Sequence, residues 1–157
     1  MIQLKKSRAA LVVGVVGLGL GLSACSPTMT NQTYAASDGI RATLGDFTFE
    51  NLSIVTLAQG DPGQLLGAAT NNSSNAGSVT LTSADGEIVI PVPLKANSTV
   101  NFFTDGKELG LVSEVPAPPG ATIEFTVSDL DGQSTTVYVP VLDGNWPEYA
   151  DAVPSAG

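Results

Sequence analysis

Cys25 is the only cysteine among 157 residues, and the chain has no histidine at all. The lone sulfur therefore has no disulfide partner, Ser-His-Asp and Cys-His catalysis are excluded, and zinc loses its usual nitrogen and sulfur ligands. A serine-lysine dyad would have to use Lys95 or Lys107. Both stand beside turn residues, in Leu94-Lys95-Ala96-Asn97 and Asp105-Gly106-Lys107-Glu108, where lysines are ordinarily solvated. Two carboxylates a few ångströms apart can hydrolyse glycosides, and Glu124 with Asp129 and Asp131 is the nearest such group. Glu124 takes an outward place on its strand and Asp131-Gly132 has hairpin chemistry, so solvated acids are expected instead. Asp129 and Asp131 are also a weak calcium candidate, together with backbone carbonyls, but the rest of an EF-hand loop is missing. No other metal and no cofactor is expected, and the chain reads as non-catalytic.

The informative feature of Cys25 is its setting. Lys5, Lys6 and Arg8 precede an apolar run from Ala9 to Leu22, and small residues then lead to the cysteine. This is the pattern of an export signal. Its core falls short of the roughly 20 residues a spanning helix needs, and Gly14, Gly17, Gly19 and Gly21 weaken it as a permanent helix. Leu22-Ser23-Ala24-Cys25 then matches the bacterial lipobox, in which the cysteine becomes the lipid-modified first residue of the mature chain. A diacylglycerol on the sulfur accounts for a thiol with no partner; an idle cysteine near a secretory cleavage site is the bland alternative. Each buried methylene contributes about 0.8 kcal/mol, so two or more acyl chains hold a protein far more firmly than one myristoyl group does. The expected location is the extracytoplasmic face of the cell membrane.

Removing residues 1–24 leaves three basic residues, Arg41, Lys95 and Lys107, against all 15 acidic ones, a net charge of about −12. Such a domain is repelled by phosphates, which argues against nucleic acid and against a basic patch on an anionic lipid surface. The membrane is then a partner through the anchor alone. Residues 25–37, rich in Thr, Ser and Asn, read as a tether, with Met29 in it and with Tyr34 expected to pack on the domain; about 12 flexible residues span roughly 20 Å end to end.

The elements that must carry any site are strands. Val, Ile, Thr and aromatic residues fill the apolar runs, and Gly, Asn, Asp and Pro interrupt them every few residues. Period-two series appear at Val79 and Leu81, at Ile88 to Leu94, at Val100 and Phe102, at Leu109 and Leu111, at Ile123 to Val127 and at Val137 to Val141, with a mostly apolar run at Leu65 to Thr70. Phe47 and Phe49 are out of phase with Leu52 and Ile54, and a bulge near Glu50-Asn51 would restore one core face. Pro91 and Pro93 lack amide donors, which places their strand at a sheet edge. Asp-Gly occurs five times, and three of these pairs fall between alternating runs as tight-turn chemistry. Seven to nine strands over 38–142 fit a single all-β, antiparallel immunoglobulin-like β-sandwich without the disulfide of antibody domains.

With the lipobox, the segments Leu44 to Val55, Thr70 to Gly86 and Val137 to Gly144 make the chain resemble the LpqE-type lipoproteins of actinobacteria over most of its mature length. The resemblance brings no established activity. It implies a sandwich similar to the periplasmic copper chaperones, which bind Cu(I) through His and Met. This chain departs from them by lacking His and by having Met29, in the tether, as the only methionine beyond the signal, and soft Cu(I) needs such ligands.

Residues 143–157 form an acidic tail rich in Pro and Ala. Trp146 is expected to fold back over one end of the sandwich, or else to stay exposed with Tyr149 as an aromatic anchor for a partner. The loop from Asn71 to Ser78 reads as solvated, with a second surface as its alternative. The expectation is a lipid-anchored binding domain acting on an envelope protein or glycan; an envelope metal or small-ligand carrier is the other reading.

Overall fold

The computed structural model describes residues 38–105 and 109–154. The order along the chain is β1 (Ile40–Leu44), β2 (Phe47–Thr56), β3 (Gly63–Asn71), β4 (Gly77–Ser83), β5 (Val89–Leu94), β6 (Ser98–Asn101), β7 (Leu111–Val112), β8 (Thr122–Asp129) and β9 (Ser134–Asp143), followed by one 3-10 turn at Ala150–Ala152. Strands neighbour one another in the order β5-β4-β8-β9-β2-β3-β6, with β1 paired to β2 and β7 to β3. The all-β sandwich is thus as expected. Its one departure is a parallel contact: β9 runs antiparallel to β8 from Ser134 to Pro140, then parallel to β2 through Ile54 with Val141, Val55 with Leu142 and Thr56 with Asp143. Both faces are therefore joined through a single long strand, and Pro140, which has no amide to donate, sits where β9 changes partner.

The alternating residues do close the core. Val79 and Leu81 of β4, Ile90, Val92 and Leu94 of β5, Ile123, Phe125 and Val127 of β8, and Val137, Val139 and Val141 of β9 are buried against Phe49, Leu52, Ile54, Leu65 and Phe102. Ile40, Ala42 and Leu44 face the same core from β1, whose alternation with Arg41 and Thr43 was not among the anticipated series. β5 is a terminal strand, and its outward residues Pro91 and Pro93 are exposed, so the missing amides interrupt no ladder.

The phase slip in β2 is a bulge. Its register against β3 shifts between Glu50 and Ser53, and Asn51 takes a left-handed backbone (φ 56°) that lets Phe49 and Leu52 both face inward. Two glycines press on the bulge: a Cβ at Gly39 would lie 2.4 Å from the Asn51 carbonyl carbon, and one at Gly67 would lie 2.6 Å from the Asn51 oxygen. The Asn51 side chain completes the arrangement by accepting the Gly39 amide at 3.0 Å. Asp38-Gly39 is accordingly not a hairpin turn but the entry to β1, held against β2.

Candidate functional site: a cleft at the tryptophan end of β9

Beyond Asp143 the chain turns back in steps of three residues. The Asp143 carboxylate accepts the Asn145 amide at 2.9 Å, and amide bonds then run from Trp146 to Asp143, from Tyr149 to Trp146 and from Ala152 to Tyr149. Gly144 donates to the Thr56 carbonyl at 2.9 Å, and a Cβ there would come within 2.4 Å of the Val153 side chain. The fold-back places Ala152 in a buried position while Trp146 remains 59% exposed. The expectation that Trp146 covers the end of the sandwich is thereby corrected. Val153 closes on Gly144, and the indole is left outside.

A cleft of about 480 Å³ opens beside that indole. It is lined by Val141, Leu142 and Asp143 at the end of β9, by Pro119 and Gly120 of the loop before β8, and by Trp146, Glu148, Tyr149 and Asp38. Asp38 and Tyr149 lie 111 residues apart, and the Tyr149 hydroxyl donates to the Asp38 carboxylate. That bond, partial burial and the negative charges of Asp38 and Glu148 push the Tyr149 hydroxyl up to about 12. Glu148 makes no hydrogen bond or ion pair with any described residue.

The other sequence candidates are scattered or committed elsewhere. Asp129 and Asp131 lie at the opposite end of β9, where a polar cavity of about 320 Å³ is bounded by Asp46, Phe47, Ser73, Asn75 and Gln133 as well. Asp129 spends its carboxylate on the β8–β9 turn, accepting the Asp131 and Gln133 amides at 3.0 and 2.8 Å and the Gln133 side chain at 3.1 Å. Among the described residues no group of three or more His, Cys, Asp or Glu side chains could hold a metal ion. Glu124 is exposed opposite Tyr138 on the outer face, away from Asp131 in the turn. Lys95 is exposed and contributes its carbonyl to Asn71. The Asn71 to Ser78 loop is anchored rather than loose. Buried Asn71 donates to the Asn75 and Lys95 carbonyls at 2.8 and 3.1 Å and accepts the Ser73 amide at 2.9 Å. Leu22, Ser23, Ala24, Cys25, Met29, Tyr34 and Lys107 lie outside the described residues.

Trp146 and Tyr149 thus line one cavity together, as Asp129 and Asp131 do at the other end, where Asp129 is already bound by its own turn. Asp38, Pro119 and Gly120 were not anticipated in the Trp146 cleft. Only the unusual Pro118-Pro119-Gly120 run marked a fixed corner, and nothing local marked Asp38 as more than a turn residue.

No family model matches the chain, and no curated protein matches it. Among solved structures it is similar to the copper-bound PCuAC domain from PmoF2, at 17% identity and a TM-score of 0.46 over 66% of this chain and 98% of that one. It is also similar to the apo PmoF2 PCuAC domain, at 15% and 0.48 over 68% and 98%, and to the apo PCuAC domain from PmoF1, at 10% and 0.46 over 66% and 99%.

Proposed function

We propose that this chain is a non-catalytic binding module, tethered by a lipid on Cys25 to the extracytoplasmic face of a bacterial membrane and engaging an envelope partner through the Trp146 cleft. The observation that carries the reading is the 59% exposed Trp146 on an ordered turn beside an open cleft. Aromatic residues held in place supply large contact area at small entropic cost and recur at the energetic centres of interfaces. The lipobox and the resemblance to LpqE-type lipoproteins fit an anchored role, in which tethering raises the local concentration of a weak surface near its target. The carrier alternative needs ligands that the histidine-free sequence does not offer.

Crosslinking in intact cells, followed by affinity purification and mass spectrometry, tests this with native, Cys25→Ser and Trp146→Ala forms. A partner enriched with the native form and lost from both variants is the expected result. A partner indifferent to Trp146→Ala would remove the cleft from the reading, and one indifferent to Cys25→Ser would remove the anchor.

A further inference from the structure

The cleft's chemistry narrows what it can hold. Its lining holds Asp38, Asp143 and Glu148 together with Trp146, and neither described cation, Arg41 nor Lys95, belongs to it. Arg41 is occupied elsewhere by an ion pair to Glu50 at 2.9 Å. Any occupant must replace water on those carboxylate oxygens, and an apolar or neutral group leaves the charges without a counterpart as they are covered. A cation meets them directly and gains a second attraction from the indole face, since a guanidinium or ammonium within about 6 Å of a tryptophan centroid is drawn by the ring quadrupole.

The groups are also unequally committed. Asp38 is bound by the Tyr149 hydroxyl and Asp143 by the Asn145 amide, so these acids are fixed in place, while Glu148 has its acceptors free of every described residue. The result is an acidic cleft in which two carboxylates are fixed and a third is free to accept donors, with an exposed indole in the same lining. The mature chain's charge of about −12 would add long-range steering for a basic partner.

We infer that the Trp146 cleft receives a cationic side chain, arginine ahead of lysine, from a basic segment of a protein partner. This rests on the binding-module reading and goes beyond it by fixing the chemistry of the partner. Arginine leads because its planar guanidinium both stacks on an indole and presents paired donors to a carboxylate.

Trp146 is the chain's only tryptophan, so its intrinsic emission reports on the cleft alone. The test titrates full-length protein with the blocked peptide Gly-Arg-Gly-Arg-Gly and with the same peptide carrying citrulline, which keeps the shape and removes the charge. The arginine peptide is expected to change the emission saturably, with affinity at least about tenfold above the citrulline peptide, about threefold lower for Glu148→Gln, and several-fold lower on raising salt from about 0.05 to 0.5 M. Trp146→Ala has no tryptophan, so its loss of binding is read by isothermal titration, with a thermal melt confirming the fold. Equal response to the two peptides, no response to either, or saturation by chitooligosaccharides in place of the arginine peptide would each overturn the inference. None of these touches the crosslinking result: a partner lost on Trp146→Ala but indifferent to arginine would leave the binding module standing and remove only its cation.

Discussion

At the Ser134 end of β9, polar side chains are turned inward on the protein itself: Asp129 gathers three donors from its own turn, and buried Asn71 ties the Asn75 carbonyl and Ser73 amide of its loop to the Lys95 carbonyl after β5. At the Asp143 end the tail is fixed by backbone turns, and what remains at the surface is an exposed indole and an uncommitted carboxylate. About ten residues of strand, roughly 30 Å, separate the two. Polar richness alone therefore does not mark a site. Donors and acceptors already matched within a loop stabilise the loop, whereas a group held rigidly and left unmatched is available to a partner. Stability should therefore be concentrated at the polar end and binding at the aromatic end, and substitutions can separate them.

The largest loss is expected for Asn71→Ala. It strips the Asn75 and Lys95 carbonyls and the Ser73 amide of their partner, and should cost about 2 to 3 kcal/mol in urea unfolding at an unchanged m-value while leaving the Trp146 emission intact. An emission shift in that variant would break the separation, because it would show the two ends to be coupled. Gly144→Ala comes next. Its Cβ would press on Val153 at 2.4 Å and crowd the Thr56 carbonyl at 3.3 Å, so about 1 to 2 kcal/mol of destabilisation is expected, with faster amide exchange at Ala152 as the tail lifts. Asp129→Ala loosens an exposed turn for about 1 kcal/mol. Since the Asp129 carboxylate already serves that turn, added calcium should leave the wild-type melting temperature unchanged; a rise would show a cation site at the polar end.

Much of the scaffold was legible because a half-buried strand writes its face into every second residue. The Phe49 and Leu52 phase slip announced the bulge, and Pro91 and Pro93 announced the edge, each through a backbone rule that needs no tertiary context. The cleft was legible only in part. Trp146 and Tyr149 stood out by type, yet whether an aromatic in a short tail is covered or exposed depends on how Val153 closes on Gly144, which no local pattern encodes. Asp38 was beyond reach for a related reason, since its role comes from a hydrogen bond across 111 residues. At the polar end Asp129 and Asp131 were only a weak calcium candidate beside a turn, and their spacing is that of an aspartate closing a turn over the amides two and four residues on.

The smallest effect bears on how the aromatic end is held. The Tyr149 hydroxyl is pushed up to about 12 first by donating to Asp38, then by partial burial and by the negative charges of Asp38 and Glu148. The folded state thus favours the protonated phenol, while an unfolded tyrosine ionises near pH 10. Between those values the unfolded chain binds fewer protons than the folded one, so stability falls as pH rises. The contribution is present in full below about pH 10 and is lost through about pH 12. Because the pair sits at the surface, solvent screening should hold it to less than about 1 kcal/mol. Urea unfolding across that window should show a decline in wild type that Tyr149→Phe, with no phenol to ionise, lacks. Trp146 emission should change over the same window only in wild type, because a phenolate beside Asp38 and Glu148 repels both and releases the turn carrying the indole. Identical profiles for the two proteins would show that backbone turns alone hold the cleft open, and that the Asp38 contact plays no part in presenting Trp146.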